Sequence, residues 1–443
     1  MKEIIVIGGG LAGCEAAWQA ARLGADVRLY EMRPQRMTEA HKTSGLAELV
    51  CSNSLRSAEL STGPGLLKTE LEIAGSLIMR AAQDSSVAAG SALAVDRTLF
   101  SAHITDAVET HPRIEVVRQE IASLPSGQLT ILATGPLTSP LMADSIRELI
   151  GEEHLHFYDA IAPIIDADSI DYSKVYRMSR YGKGGDDYLN CPMTKQEYEA
   201  FFRALTEADS VIARNFEDAK VFEGCMPVEE MARRGEDTLR FGPLKPVGLP
   251  DPATGKIPYA VVQLRTENRE RTAYNMVGFQ TRLKWPEQKR VFCMIPGLEH
   301  AEFFRFGSIH RNTYINSPRH MNKDLTLKES GLTYLAGQIT GVEGYIESTA
   351  IGLLAGFSAA SKLLGKDFVP PPCASAHGSL LAHITESDQE HFAPSNINFG
   401  LLPSTDAGAR IRDKKLRRLK VAEAAINEWT EYILRIKREY NFK

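Results

Sequence analysis

The chain has 443 residues, of which 43% are hydrophobic and 24% are charged, enough for two or three domains with a large core. Its net charge is −5, so any surface that binds nucleic acid must be local. No segment has the length and purity of a membrane span. The first predicted strand begins directly at the N-terminus, which leaves no room for a signal peptide. We therefore expect a cytoplasmic protein without membrane contact, and no obligate protein partner is evident.

The six cysteines are scattered and form no Cys-x-x-Cys pair, which is typical of reduced thiols in a cytosolic protein. Cys373 and His377 have half of a metal-ligand spacing but no second pair nearby. We therefore predict no metal site.

The first 31 residues contain the most informative pattern of the chain. An apolar strand at 4–7 leads into the glycine-rich turn Gly8-Gly9-Gly10-Leu11-Ala12-Gly13, which is followed by an Ala-rich helix at 14–24. A second strand at 27–30 then ends at the acid Glu31. Gly8 permits a tight turn, Gly10 lets a pyrophosphate approach the backbone, and Gly13 allows the helix to pack on the strands. The helix N-terminus favours phosphate, and Glu31 is placed to accept hydrogen bonds from a ribose. The pattern predicts a bound dinucleotide.

Two later motifs indicate which dinucleotide is bound. An apolar strand at 129–133 runs into Ala133-Thr134-Gly135, and a strand ending at Gly337 precedes a small-residue helix at 344–356. They resemble the second and closing motifs of FAD-dependent oxidoreductases, with Gly337-Gln338 where many relatives have Gly-Asp. Three motifs in this order favour FAD over NAD as the tightly bound cofactor. Because the chain shows one dinucleotide fingerprint, we expect NAD(P)H to visit only transiently, as a co-substrate.

Between these motifs the composition changes to aromatic, Pro-rich and Arg-rich segments. The predicted fold class is α/β, a Rossmann-like FAD-binding domain interrupted by an inserted α+β domain. The predicted division is 1–154 for the first part of the FAD-binding domain, 155–325 for the inserted substrate or RNA domain, and 326–443 for the closing part with a C-terminal helix. Helical spacing is also predicted at 66–82 and a strand around 114–123.

The clearest predicted helix lies near the C-terminus. Its apolar stripe consists of Leu416, Leu419, Ala422, Ile426, Trp429 and Ile433, which suits packing on the body. The segment 410–420 contains Asp413 and seven basic residues, Arg410, Arg412, Lys414, Lys415, Arg417, Arg418 and Lys420. This segment is either a solvated helix face or a patch that contacts RNA phosphates. Arg282, Lys284, Lys289 and Arg290 form a rival basic cluster.

Two cysteines have unusual neighbours. Cys51 precedes small polar residues able to cap a helix, and Cys225 lies in a Gly/Pro turn. A thiol at a helix N-terminus or near Arg has a lowered pKa. Cys14, in the first helix, and Cys293, in a predicted core strand at 291–295, are most simply core residues.

Several segments together resemble one family. They are the glycine turn of residues 8–13, LVCSNSLRS at 49–57, FYDAIAPI at 157–164, YLNCPM at 188–193, FEGCMPVEEMA at 222–232 and AGQITGVEGYIES at 336–348. This combination is similar to the bacterial folate- and FAD-dependent tRNA (uracil-5-)-methyltransferases, which make ribothymidine in the T-loop. The resemblance covers nearly the whole chain. A related flavoprotein family that modifies wobble uridines is longer and has an extra C-terminal helical domain.

The resemblance implies methylation of uridine 54 of tRNA, with a methylene group from methylenetetrahydrofolate and hydride from reduced FAD. It implies that Cys225 is the nucleophile at uracil C6 and that Cys51 assists near the flavin, although the two roles could be reversed. Glu343 and Tyr345 either contact folate or the isoalloxazine or are ordinary turn residues. The candidate cofactor-binding residues are Gly8, Gly9, Gly10, Gly13, Glu31, Asn53, Ala133, Thr134, Gly135, Gly337, Glu343 and Tyr345.

Three alternatives remain at this point. A flavin oxidoreductase of a small molecule explains the glycine motifs but leaves Cys225 without a role. A flavin-stabilised RNA-binding protein would make methylation incidental. The same chemistry could also act on a uridine of ribosomal RNA.

Overall fold

The structure, a computed structural model, describes residues 3–38, 40–151, 155–182, 184–211, 226–403 and 411–441, with the backbone alone for 155–161 and 309–313. Cys225 and Arg410 therefore lie outside the described residues. In the part that is described, no helix combines the length and apolar character needed to cross a membrane.

The N-terminal part begins with the predicted strand, glycine turn and helix. Its elements, in chain order, are β1 (Ile4–Ile7), α1 (Leu11–Arg22), β2 (Val27–Tyr30), β3 (Ser54–Ser57), α2 (Gly63–Ile73), α3 (Leu77–Asp84), β4 (Ser86–Val87), β5 (Ala92–Val95), α4 (Arg97–Glu109), β6 (Ile114–Val117), β7 (Leu129–Leu132) and α5 (Pro140–Ile150).

The middle part follows without returning to the first sheet. Its elements are β8 (Leu155–Ile161), β9 (Ile164–Asp166), β10 (Tyr176–Arg177), β11 (Tyr188–Met193), α6 (Lys195–Glu207), α7 (Val228–Arg233), α8 (Thr238–Phe241), β12 (Ala260–Thr266), β13 (Ala273–Met276), α9 (Trp285–Phe292), β14 (Phe303–Arg305) and β15 (Ser308–Tyr314). The C-terminal part adds α10 (Ser317–His320), β16 (Thr326–Leu327), β17 (Ser330–Leu335), α11 (Tyr345–Leu363), α12 (Ala376–Glu386) and α13 (Lys414–Tyr440).

The first sheet combines strands from both ends of the chain. Its strand order is β16-β17-β7-β1-β2-β6, and all neighbours are parallel except β16 and β17. The last residues of the inner strands are in register, because Ile7 pairs with both Tyr30 and Leu132, and Leu132 pairs with Leu335. The residues that follow these strands therefore meet at one sheet edge, where open α/β sheets bind ligands.

Helices α1 and α11 pack closely on each other beside this sheet. A Cβ atom on Gly352 would lie 2.3 Å from the carbonyl oxygen of Ala12, and one on Gly356 would lie 2.5 Å from that of Ala16. Glycine at both positions is what lets the two helix backbones approach. The closing part of the chain thus completes the fold begun by its first residues.

The second sheet lies entirely in the middle part. It is antiparallel, with strand order β10-β11-β12-β13-β9-β14, and a separate buried cluster packs against it, including Tyr198, Phe201, Phe279 and Phe292. The antiparallel ribbon of β8 and β15 joins the two parts. This arrangement confirms an α/β fold with an α+β insertion, whereas the division at 154/155 and 325/326 stays a prediction.

Some local expectations were wrong. The helical pattern at 66–82 is two helices, because Gly75, with φ of +73°, interrupts it between α2 and α3. The strand expected around 114–123 ends at Val117. Cys293 does not lie in a strand, because it caps the C-terminus of α9. A short apolar run does not distinguish a strand from the buried end of a helix.

The C-terminal helix α13 begins after Asp413, whose side chain caps the helix by accepting the backbone N–H of Leu416. Its stripe packs on the body through Ala422, Trp429 and Ile433, all buried, and the indole of Trp429 donates to the carbonyl oxygen of Glu70 at 2.6 Å. Leu416 was expected in this buried stripe but is 49% exposed. Burial therefore begins only after the first turn of the helix.

Candidate functional site

A long cleft opens at the carboxyl edge of the first sheet. It encloses about 1050 Å³ that no protein atom occupies, open solvent at its mouth included. The predicted cofactor-binding residues that line it are Gly8, Gly9, Gly10, Glu31, Ala133, Thr134, Gly135, Gly337 and Tyr345. The strand register explains why three motifs so distant in sequence meet there.

The glycine turn is shaped for a close ligand. Gly8 has φ of +110°, and a Cβ on it would lie 2.4 Å from the carbonyl oxygen of Ala133. A Cβ on Gly13 would lie 1.8 Å from the carbonyl oxygen of Gly8. At Gly10, which precedes α1, a Cβ would meet no atom within 4 Å. Gly8 and Gly13 are thus required by the protein itself, whereas the space beside Gly10 is open cleft at a helix N-terminus.

Glu31 lies at the cleft but is already hydrogen-bonded. Its Oε2 accepts the N–H of Gly9 at 2.9 Å, and its Oε1 accepts the Nε of Arg33 at 2.9 Å. The backbone N–H and Nη2 of Arg33 donate to the same carboxylate. Burial alone would raise the pKa of Glu31, but the hydrogen bonds and charge of Arg33 outweigh it and lower the pKa. A ribose hydroxyl would have to share this carboxylate with Arg33, so that role stays a prediction.

Cys51 lies beside the cleft, in an extended segment between Val50, which lines the cleft, and β3. The expected helix N-terminus is absent from this part of the structure, because the residues after Cys51 continue into a strand instead of a helix. An arginine that the sequence analysis did not name lies near this segment, since Nη2 of Arg97 donates to the carbonyl oxygen of Cys51 at 3.3 Å. The thiol is half-buried and forms no disulfide.

Tyr345, at the start of α11, joins the cleft to this segment. Its hydroxyl oxygen accepts the backbone N–H groups of Cys51 at 2.8 Å and Ser52 at 3.1 Å. Burial raises the pKa of the Tyr345 phenol, so the hydroxyl stays protonated. The closing motif therefore places a neutral phenol directly against the thiol-bearing segment.

Three predicted cofactor-binding residues do not line the cleft, namely Gly13, Asn53 and Glu343. Asn53 is fully buried, and its amide nitrogen donates to the carbonyl oxygens of Val95 and Thr266, both at 3.0 Å. Glu343 is buried and accepts the amide of Gln338 at 2.7 Å, and Gln338 does line the cleft. In this structure Asn53 fixes the Cys51 segment, and Glu343 contacts Gln338, which lines the cleft.

Sequence reasoning missed the arginines that hold the site. Arg33 binds Glu31, while Arg97, Arg265 and Arg305 bind the backbone and side chains around Cys51. The last three come from α4, β12 and β14, and the contacts span 46 to 255 residues of sequence. No local spacing pairs residues so far apart.

The two basic clusters differ in how far carboxylates neutralise them. In the inserted domain, Arg282 pairs with Glu230, Lys284 with Asp209 at 3.0 Å, and Arg290 with Glu287 at 2.6 Å. On α13, Lys414, Lys415 and Arg417 are exposed, and among the described residues no carboxylate is in salt-bridge contact with Lys414, Arg417 or Arg418. The α13 cluster therefore has more positive charge available to a phosphate than the cluster of the inserted domain.

His377, which was considered as half of a metal site, has a different role. Its Nδ1 lies 2.7 Å from Oε2 of Glu70, and its ring stacks on Trp429 with centroids 4.0 Å apart. All three residues are buried. The group anchors α13 to α2 and α12.

Comparisons with known proteins agree with this geometry. The family model described as "Glucose inhibited division protein A" matches residues 3–367. The chain is 57% identical to a methylenetetrahydrofolate–tRNA-(uracil-5-)-methyltransferase TrmFO of Geobacter sulfurreducens, covering 96% of this chain and 98% of the relative. A protein of the same name from Moorella thermoacetica is 56% identical, covering 96% and 97%.

Among solved structures, GidA of Aquifex aeolicus is similar, with a TM-score of 0.69, 16% sequence identity, and coverage of 99% of this chain and 75% of that chain. At this identity the likeness shows the fold alone. It extends over 99% of this chain and therefore includes both the parallel sheet and the insertion. The chain therefore belongs to the glucose inhibited division protein A family and, with its close relatives, to the methylenetetrahydrofolate–tRNA-(uracil-5-)-methyltransferases TrmFO.

Proposed function

We propose that this protein methylates C5 of uridine 54 in the T-loop of tRNA, using the methylene group of 5,10-methylenetetrahydrofolate and hydride from reduced FAD. The observation that carries the proposal is the contact between Tyr345 and Cys51, which puts a thiol-bearing segment at the wall of a dinucleotide cleft. The close relatives carry the name of this activity.

The cleft residues fit FAD. The open space at Gly10 and the N-terminus of α1 would take the pyrophosphate. Ala133, Thr134, Gly135 and Gly337 would line the path of the dinucleotide. When bound, FAD supplies the redox step that turns the methylene into a methyl group. NAD(P)H would reduce it as a transient co-substrate.

The chain itself supplies nucleophile and base. C5 of uracil is a poor nucleophile until a thiolate adds to C6, which forms a sulfur–carbon bond and an enolate whose C5 attacks the one-carbon donor. We assign this addition to Cys225, which lies outside the described residues. Cys51 would then accept the C5 proton, because its segment lies beside the cleft. Loss of this proton breaks the bond between the methylene group and the folate nitrogen and releases tetrahydrofolate. After the methylene is reduced to a methyl group, restoration of the 5,6 double bond breaks the sulfur–carbon bond and releases Cys225.

The protein would act in the cytoplasm, with tRNA as its partner. We expect the exposed residues of α13 to contact tRNA phosphates, since Lys414, Arg417 and Arg418 are not neutralised by described carboxylates.

Transfer of labelled methylene from methylenetetrahydrofolate tests the proposal. The purified protein, NADPH and RNA transcripts would be combined, with unmodified tRNA, the same tRNA carrying cytidine at position 54, and ribosomal RNA in parallel. Label in the first transcript alone is expected. Label in ribosomal RNA would show that ribosomal RNA is the substrate. NADPH oxidation without label in any RNA would favour a small-molecule oxidoreductase.

A further inference from the structure

Three arginines hold the five-residue segment around Cys51 from both parts of the fold. Nη1 of Arg97 donates to the carbonyl oxygen of Leu49 at 2.6 Å, and Nη2 of Arg305 donates to that of Val50 at 2.6 Å. Arg265 donates from Nη2 to the hydroxyl of Ser52 at 2.9 Å and from Nε to Oδ1 of Asn53 at 3.0 Å. Together with the hydroxyl of Tyr345, these groups bind every residue from 49 to 53.

The charges around this segment do not balance. Glu267 is in salt-bridge contact with Arg97 at 2.6 Å. Neither Arg265 nor Arg305 is in a salt bridge with a carboxylate of the described residues. Arg265 is 7% exposed. Burial, reinforced by the like charge of Arg97, lowers the pKa of the Arg305 guanidinium. Surplus positive charge away from water is costly unless an anion offsets it.

The group that can supply the anion is the thiol of Cys51. A negative charge on Cys51 would raise the pKa of both Arg97 and Arg305, and Nη2 of Arg97 already lies 3.3 Å from the carbonyl oxygen of Cys51. Among the described residues, two further titratable groups act on these arginines: Tyr345, which burial keeps neutral, and Glu267, which is in salt-bridge contact with Arg97 and also raises the pKa of Arg305. A cation beside a cysteine favours its thiolate.

We propose that Arg305, acting with Arg97 across the domain junction, is a positioning residue that keeps Cys51 as a thiolate at neutral pH. The thiol proton passes to solvent, and the thiolate is ready to accept the C5 proton. Use of the thiolate in methylation rests on the proposed function, but its ionisation does not. Because Arg305 belongs to the inserted domain, Cys51 is charged only when that domain is seated against the segment.

The test follows the ionisation of Cys51 directly. The flavin-loaded protein is alkylated with iodoacetamide, a neutral reagent, at a series of pH values, and mass spectrometry measures the rate at the Cys51 peptide. The midpoint is the pH at which the alkylation rate of Cys51 is half of its maximum. In wild type this midpoint should lie about one pH unit below the value of about 8.5 for an ordinary thiol. In Arg305→Gln the midpoint should rise by about one unit, and in Arg305→Lys it should stay near the wild-type value.

Arg290→Gln, which removes an exposed arginine of α9 paired with Glu287, is the matched control and should leave the midpoint unchanged. The exposed Cys373 serves in every sample as an internal reference for reagent and pH. A wild-type midpoint equal to that of Cys51 in urea-unfolded protein would overturn the proposal without any variant. An unchanged midpoint in a folded, flavin-binding Arg305→Gln protein would also overturn it.

The methylation assay separates this proposal from the function itself. If Arg305→Gln shifts the midpoint and the pH optimum of methylation moves with it, both ideas hold. If the midpoint shifts but wild type transfers no methylene to tRNA, the thiolate is confirmed and the proposed function is wrong.

Discussion

The hydroxyl oxygen of Tyr345 lies 2.8 Å from the backbone nitrogen of Cys51 and accepts its N–H. The two residues are 294 positions apart in sequence and belong to the closing motif and to the segment after the first two strands. A helix that starts at the cofactor cleft thereby fixes the backbone that carries the thiol.

Tyr345→Phe should loosen this connection. Without the hydroxyl, the half-buried N–H groups of Cys51 and Ser52 lose their acceptor, which costs less than the roughly 1–3 kcal/mol of a fully buried unsatisfied donor. We expect a lower melting temperature and a reduced methylation rate with flavin still bound. Tyr176→Phe, which removes a hydroxyl that donates to Leu249 in the inserted domain, should leave the methylation rate unchanged. If both variants lost the methylation rate equally, the hydroxyl of Tyr345 would have no specific role in positioning Cys51.

Gly10→Val and Gly13→Ala should separate cofactor binding from folding. A Cβ at Gly10 would meet no protein atom within 4 Å apart from its neighbours in the chain, so the protein should fold but lose its flavin absorbance. A Cβ at Gly13 would overlap the carbonyl oxygen of Gly8, so even alanine should lower the melting temperature. Gly185→Ala, outside the cleft lining and with ordinary contact distance for a Cβ, is the control. Full flavin absorbance in Gly10→Val would contradict the assignment of the cleft.

Cys225→Ala should abolish methylation and leave the protein yellow, because it removes the proposed nucleophile without touching the dinucleotide motifs. With 5-fluorouracil at position 54 of the tRNA no C5 proton can leave, so wild type should form a trapped protein–RNA adduct. Mass spectrometry of the digested adduct locates the bond. Attachment at Cys51 would exchange the two roles, and attachment at neither cysteine would refute the thiol mechanism.

The Glu347→Gln variant should gain stability relative to wild type as the pH increases. Glu347 is fully buried, its Oε2 has no hydrogen-bond partner among the described residues, and burial raises its pKa above the ordinary value of 4.5. The folded protein therefore holds this proton more tightly than the unfolded chain does, and the stability it contributes is lost as the pH rises above 4.5. The free energy of unfolding of Glu347→Gln relative to wild type, measured in urea, should grow between pH 4.5 and 7. The exposed Glu431→Gln variant should show no such trend.

Replacing Lys414, Lys415, Arg417 and Arg418 by Gln should weaken tRNA binding with flavin content unchanged. Each phosphate contact that is lost should reduce the slope of log affinity against log salt by about 0.9. Neutralising Arg435, Lys437 and Arg438 at the other end of the same helix is the control. If affinity and slope are the same in all three proteins, the α13 cluster is only a solvated face.

Much of the cofactor cleft could be predicted because its signals are local. The turn from Gly8 to Gly13 and the end of β7 at Ala133 are short motifs whose geometry follows from glycine and from parallel strands. The surroundings of Cys51 could not be predicted in this way. Its ligands Arg265 and Arg305 come from the second sheet, and only the docking of the two domains brings them to it.

The errors at Cys51 and Cys293 have one cause. Small polar residues after Cys51 suit either a helix cap or an extended turn, and an apolar run around Cys293 suits either a strand or a helix end. In both cases tertiary contacts decide between conformations that the local sequence allows. At Cys51 the deciding contacts are those of Tyr345 and the arginines, and at Cys293 it is the packing of α9 on the second core.

The close crossing of α1 and α11 at Gly352 and Gly356 also governs how the protein is made. On the ribosome α1 emerges before the insertion, whereas the helix that covers it, together with β17, emerges only after the whole insertion. Domains generally fold as units during synthesis, and the insertion is continuous in the chain while the nucleotide fold is not. Until α11 emerges, the small-residue face of α1 around Ala12 and Ala16 has no covering helix. We therefore expect the nascent chain to depend on chaperones through most of its synthesis and to acquire its flavin last.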